Sequence, residues 1–182
     1  HHQKPTVNAS FYSDNGVFGT APQTPEENPT TIAYQRVSVI ARSTPEGLKL
    51  RADLKTADNA GSGYVDATIN PYAETKPISG SVVLQDINLA VFKPFFPSFE
   101  RLTGNGLVAG KISGSLMQPI LVGDIELQDA GLTITGVPMR FDNINVLAHV
   151  EGNQATLKGT FASAGDGKGN LTGTVDWTKE LQ

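Results

Sequence analysis

The stretch from Leu102 to Met117 constrains the fold more than any other part of this chain. Its even positions are Leu102, Gly104, Gly106, Val108, Gly110, Ile112, Gly114 and Leu116, while its odd positions are mostly polar. Side chains of a strand alternate between faces, so one face here is only aliphatic or glycine. A strand of this length would reach about 50 Å, against a usual strand of about 5–6 residues. Glycine inside a strand marks a bend or a close approach. Four glycines on the apolar face therefore predict a long strand that curves with its apolar side inward, as the wall of a trough.

The same rule recurs along most of the chain. Leu48, Leu50, Ala52 and Leu54 alternate with Lys49, Arg51, Asp53 and Lys55, and Gly61, Gly63, Val65, Ala67 and Ile69 alternate with Ser62, Tyr64, Asp66 and Thr68. Two such runs joined by a short polar link predict an antiparallel hairpin. Further strands are expected at Ile78, Gly80, Val82, Leu84; at Leu121, Gly123, Ile125, Leu127; at Leu132, Ile134; at Ile144, Val146, Ala148, Val150; and in a last hairpin through Leu157, Phe161, Leu171 and Val175. Asp129-Ala130-Gly131 reads as a turn. A strand at about 31–42 changes parity between Tyr34 and Val37, which predicts a bulge near Arg36. Two internal repeats accompany this pattern. G-S-V-V-L-Q-D-I-N-L from Gly80 returns as G-D-I-E-L-Q-D-A-G-L from Gly123, 43 residues later, and G-S-G-Y-V-D-A-T-I from Gly61 returns as G-K-G-N-L-T-G-T-V from Gly167. The chain reads as copied strand units stacked in one direction.

Two regions depart from the rule. After a short alternating run (Val7, Ala9, Phe11) and a turn-like Ser13-Asp14-Asn15-Gly16, residues 20–30 carry Pro22, Pro25 and Pro29 with almost no apolar residue, which predicts a mobile loop. With His1 and His2 resembling the remnant of an affinity tag, residues 1–30 are expected as tag remnant, short strand and proline-rich loop, and 31–182 as a single groove domain. The second departure is 89–102, where Leu89, Phe92, Phe95, Phe96, Phe99 and Leu102 fall at helical spacing. Pro94 and Pro97 limit that stretch to one or two short helical turns. Phe92, Phe95, Phe96 and Phe99 are expected to plug one end of the sheet or to dock a partner.

Composition closes off several chemistries. The net charge of −4 and the scattered basic residues supply no patch for nucleic acid. Without cysteine there are no disulfides, thiolate metal sites or cysteine nucleophiles, and His149 is the only histidine beyond the first two residues. No apolar run approaches the roughly 20 residues of a membrane span. Gly104–Gly110 has the wrong spacing for a dinucleotide fingerprint, and Gly165-Asp-Gly-Lys-Gly169 joins two strands rather than a strand and a helix. Asp124 and Glu126 share a polar strand face about 7 Å apart, which reads as a solvated surface. No catalytic group, metal site or cofactor is expected.

A sheet apolar on one face has to bury it. Two answers are open: a closed β-sandwich of the adhesin or passenger type, or a long curved antiparallel sheet folded around its own apolar groove. For the groove, the expected lining is Leu50, Leu54, Val65, Ile69, Val82, Leu84, Val108, Ile112, Leu116, Ile125, Leu127, Ile134, Ile144, Val146, Leu157, Phe161, Leu171 and Val175.

The run L-T-G-N-G-L-V-A-G-K-I-S-G-S-L-M-Q-P-I-L-V-G-D-I-E-L-Q-D-A-G-L-T-I, residues 102–134, resembles the C-terminal repeat region of the TamB family of AsmA-like envelope proteins. The shared features are a glycine-rich strand, an S-G-S/T-L step, a proline, then G-x-I/V-x-L-x-D-A/G-x-L. F-D-N-I-N-V at 141–146 and the glycine hairpin at 155–175 continue it, and 48–89 holds a weaker copy. The resemblance implies an all-β fold of the β-taco kind. It implies a non-enzymatic segment of a hydrophobic groove that crosses the periplasm of a Gram-negative bacterium from an inner-membrane anchor. The partners implied are TamA, an outer-membrane barrel of the Omp85 type, together with acyl chains of phospholipid or unfolded client strands. The implied roles are autotransporter assembly and phospholipid transport.

Overall fold

The computed structural model describes residues 6–19, 31–57, 61–95, 97–163 and 167–176; the side chains of Pro94 and Phe95 are outside that description. Its strands are β1 Asn8–Gly19, β2 Thr31–Thr44, β3 Gly47–Thr56, β4 Ser62–Ile69, β5 Ile78–Asn88, β6 Phe99–Gly114, β7 Pro119–Ile134, β8 Arg140–Glu151, β9 Gln154–Ser163 and β10 Lys168–Asp176. All ten lie in one sheet in chain order, each antiparallel to the next. Alternating runs separated by short turns dictate this meander, since consecutive strands pair through the nearest available edge. The first and last strands are not paired, so the sheet is not closed into a barrel. The fold is thus the expected all-β antiparallel sheet, and a 3-10 helix at Leu89–Phe95 supplies the expected helical turn between β5 and β6. Asn88 starts that turn, its side-chain oxygen accepting from the Ala90 N–H at 2.9 Å.

β6 and β7 each run 16 residues; β6 has the length expected of the trough wall but starts three residues earlier than Leu102, and β7 is one strand where two were expected. The strands are not uniform along that length. The register slips between Leu84 and Ile87 on β5, Thr103 and Asn105 on β6, Leu127 and Ala130 on β7, and Asp142 and Asn145 on β8. At or beside these slips the backbone is left-handed, with φ of 53° at Asp86, 107° at Gly104, 48° at Asp129 and 48° at Asn143. Asn15 on β1 has φ 55°, and the β2 register shifts between Tyr34 and Arg36, where the parity change predicts a bulge. These bulges lie side by side: the Asn145 amide on β8 accepts from the Asp129 N–H at 3.1 Å and donates to the Asn143 carbonyl at 3.1 Å. A bulge bends its strand and raises the local twist. Placed in neighbouring strands, they form a crease across the sheet.

The crease corrects three readings. Ser13–Gly16 is not a turn but the middle of β1, which pairs with β2 from Asn8 to Gly19. Asp129-Ala130-Gly131 is not a turn either; β7 continues through it. The backbone bends assigned to inward glycines alone are shared with left-handed Asp and Asn, whose short polar side chains tolerate φ > 0. Gly104 alone among the crease residues just named is a glycine on the expected apolar face. There a Cβ would stand 2.5 Å from the Ala130 Cα.

Candidate functional site

Cross-strand partners share a face of the sheet, so the register itself sorts the side chains. Leu54, Gly63, Leu84, Val108, Ile125, Ala148, Leu157 and Gly173 follow one another as partners from β3 to β10. Ala52, Val65, Val82, Gly110, Gly123, Val150, Ala155 and Val175 form the next row, and Leu50, Ala67, Gly80, Ile112 and Leu121 the one beyond. On the other side of the first row run Ile87, Gly106, Leu127, Val146, Gly159 and Leu171. Four adjacent rows thus hold no polar side chain. A one-residue slip of any strand would turn its apolar set outward, which is why the register is held so strictly here.

Past the crease the same face changes character. Leu102 pairs with Leu132, Leu132 with Phe141, Phe99 with Ile134, and Ala130 with Ile144. Phe141 meets Phe161 edge-on at 5.6 Å, and Phe18 lies 4.6 Å from Tyr34. Below the crease the face is an aliphatic wall; above it stands a shorter flange in which aromatic rings recur. Leu89, the first residue of the 3-10 helix, lies over Gly106.

The rows place the residues proposed from sequence as follows. Ile69 and Val146 are buried, and the other strand residues of that set are half-buried or, for Val65, Leu171 and Val175, exposed. Leu116 is not on β6: the strand ends at Gly114 (φ 87°), and Leu116 lies in the turn closed by Ser115 and Gln118, 47% exposed. Phe92 and Phe99 are half-buried; the Phe95 side chain and Phe96 fall outside the described residues, as does the 20–30 loop. Among the described residues no large side chain is completely buried, and the apolar residues most shielded are Ala67, Ala130, Val150 and Ile87 at 4–6% exposed. Among the described residues no second sheet covers the apolar face.

The opposite face is mostly polar. Arg51, Asp66, Ser81, Lys111, Val122, Glu151, Gln154 and Asp176 make one of its rows. Arg51 donates to Asp53 at 2.9 Å and stacks 4.4 Å over the Tyr64 ring. Asp124, expected beside Glu126, instead pairs with His149 Nδ1 at 2.7 Å, while Glu126 accepts from Gln128. Both partners of the histidine pair are more than half exposed, so water screens them and nothing secludes a reacting atom. No group of three or more His, Asp or Glu among the described residues could hold a metal ion. Sequence reasoning passed over a three-strand clamp above the crease. Arg101 on β6 reaches over Gly131 on β7 to Asp142 on β8 at 2.6 Å, and Arg140 holds the second carboxylate oxygen at 2.7 Å. Gly131 leaves room for it, since a Cβ there would stand 2.6 Å from Arg101 Nη2. The hydrogen bonds from Arg101 and then Arg140 hold the Asp142 carboxyl below the ordinary carboxylate range.

Comparison with known proteins follows the same residues. Residues 1–127 match the family model described as TamB, N-terminal domain. The translocation and assembly module subunit TamB of Haemophilus influenzae is 26% identical over 132 residues, which is 71% of this chain and 10% of that protein. The chain therefore spans about a tenth of the relative it matches. No solved structure matches. The matched model is the family's N-terminal domain, whereas the motif of residues 102–134 implied its C-terminal repeat region. Strand units copied within one chain resemble each other wherever they stand, so they reveal a family more readily than a position in it. With the match taking in well over half of its length, this chain belongs to the TamB family.

Proposed function

We propose that this chain is a non-enzymatic segment of a hydrophobic groove that works in outer-membrane biogenesis. One observation carries the reading: four adjacent rows of aliphatic and glycine residues cross the sheet, and no second layer among the described residues lies over them. Exposed apolar patches beyond a few hundred Å² mark interaction sites. The lining runs from Leu50 and Leu54 through Val108, Ile112 and Ile125 to Leu171 and Val175, and residues 31–182 act as one groove domain. The guest is an acyl chain of phospholipid or an apolar strand of an unfolded client protein. Each methylene it buries contributes about 0.8 kcal/mol, so no group on the protein needs to react. The relative's printed name, translocation and assembly module subunit TamB, supports a role in translocation and assembly; in this reading the clients are outer-membrane proteins and the partner is a TamA barrel. In this reading the segment stands in the periplasm as part of an AsmA-like parent anchored in the inner membrane.

The test compares wild type with Ile112→Arg and Lys111→Glu. Ile112 shares its row with Leu50 and Ala67, while Lys111 faces water. Apolar-dye binding and native mass spectrometry for co-purified phospholipid report the guest, and thermal unfolding reports the fold. A folded Ile112→Arg protein that has lost binding is the expected result. An unfolded one points to a closed core, where an unpaired charge costs several kcal/mol. Unchanged binding in Ile112→Arg removes the groove as the site.

A further inference from the structure

The crease has a role of its own in the groove just proposed, on which this inference rests. On β5, Gln85 and Asp86 together stand opposite the single residue Leu107; on β7, Gln128 and Asp129 stand opposite Asn145. The same L-Q-D triplet makes both bulges, and both aspartates are left-handed. A non-glycine residue held there carries a backbone cost of order 1 kcal/mol, and regular pairing would remove it. The extra residue also keeps Leu84 and Ile87, and Leu127 and Ala130, on one face although they are three apart. The apolar surface is thus continuous across the bend, and only its direction changes, from the aliphatic wall to the flange that holds Phe99, Phe141 and Phe161.

We propose that Asp86 and Asp129 are positioning residues of the groove. By folding β5 and β7 at the crease they set the flange at an angle to the wall, and that angle sets how far the groove over the apolar rows opens to an acyl chain. The carboxylates themselves do not touch the guest. Asp86 and Asp129 are exposed, and what the fold uses is their tolerance of φ > 0.

Deleting Asp86 and Asp129 together tests this directly. The deletion restores one-to-one pairing opposite Leu107 and Asn145 and leaves every apolar residue on its face, so what changes is the bend of β5 and β7 themselves. Because the chain has no cysteine, Gln118→Cys and Thr135→Cys at the two exposed ends of β7 can carry spin labels. Their separation reads the bend by dipolar electron paramagnetic resonance. One residue fewer shortens a strand already straight by about 3.3 Å, whereas straightening a creased strand lengthens it. The expected result is a longer span in the deletion protein together with retention of palmitoyl-oleoyl phosphatidylethanolamine, taken up from vesicles, about tenfold weaker. The Asp86→Gly, Asp129→Gly protein, which keeps the left-handed backbone, should match wild type in both. A shorter span overturns the crease. A longer span with unchanged lipid retention overturns the positioning role. A glycine pair that loses lipid without a change in span shows that the carboxylates act themselves, and overturns it too. If the deletion protein does not fold, deleting Asp129 alone, which leaves β5 untouched and keeps both labels on the altered strand, carries the same readings. Wild type that retains no lipid defeats the groove reading, while the span measurement still decides whether β7 is bent.

Discussion

The two copies of the L-Q-D unit begin alike and end differently. In both, the leucine (Leu84, Leu127) lies in an apolar row, the aspartate is left-handed, and the next apolar residue is buried: Ile87 at 6% and Ala130 at 4% exposed. Their surroundings then diverge. The first bulge stands opposite the apolar Leu107, while the second stands opposite Asn145, whose side-chain oxygen accepts from the Asp129 N–H. After the first, Asn88 turns the chain into the 3-10 helix. After the second, β7 runs on to Ile134 beneath the Arg101–Asp142 clamp. The triplet thus sets the bulge, and residues on neighbouring strands decide what is built beyond it.

The comparison breaks most severely at Gly104→Val. Gly104 has φ 107° and its missing Cβ leaves room for the Ala130 Cα. A β-branched residue is strained at that φ and also meets backbone, so the expected loss is at least about 3 kcal/mol in urea unfolding. Amide exchange should show the flange opening first, at 99–103 and 130–134, while β3, β4 and most of β5 stay protected.

Ile87→Ala makes the first copy resemble the second at its buried position. The side chain of Ile87 lies against Gly61, and its cross-strand partner is Gly106. Neither glycine can fill the space it leaves. The expected loss is about 2–4 kcal/mol, from lost burial plus the residual cavity. A loss below about 1 kcal/mol would mean that the chain beyond the first bulge collapses onto the gap and is less fixed than the flange beyond the second.

Much of this architecture is legible in the sequence because a period of two leaves little freedom. Leu50 to Leu54, Val65 to Ile69 and Val108 to Ile112 were bound to share a face once paired, and the parity change near Arg36 located the β2 bulge. The creases of β5 and β7 were harder to see. Asp and Asn tolerate φ > 0 both in turns and in bulges, so Ser13–Gly16 and Asp129–Gly131 read as chain reversals. Only the partner strand decides between the two, and pairing is not a local property. Leu116 failed in the opposite way: alternation continued past Gly114 into a turn, where the pattern no longer reports a face. The Arg101–Asp142 clamp joins residues 41 apart through the gap above Gly131, and no spacing rule announces such a pair.

Asn145→Ala tests what the second bulge gains over the first. It removes the acceptor for the Asp129 N–H and the donor to the Asn143 carbonyl. Both groups are near solvent, so water replaces part of each bond and the expected loss is about 1 kcal/mol. The converse change, Leu107→Asn, gives the first bulge the residue that faces the second. A gain of a few tenths of a kcal/mol there would show the cap to be transferable, and a loss would show that the first bulge depends on the apolar contact of Leu107.

The smallest effect is expected at the clamp, and its sign is fixed by pH. Arg101 and Arg140 hold the Asp142 carboxyl below its ordinary value, so the folded protein binds that proton less readily than the unfolded chain does. A group depressed in this way contributes stability above its unfolded pKa, and the contribution disappears as pH falls through the lower folded value. Asp142→Asn keeps the shape but removes the charge. Its Tm should fall slightly below wild type at neutral pH, and the two curves should converge as the solution is acidified below about pH 4, where an ordinary aspartate titrates. Salt should narrow the gap in the same way, because the pair is only partly shielded from solvent. The first copy has no such clamp, so the exchange rates of Ile87 and Asn88 should stay the same in the variant while those of Thr133 and Ile134 rise. A gap between the Tm curves that persists unchanged at low pH would show that the hydrogen-bonding shape of Asp142, and not its charge, secures the flange.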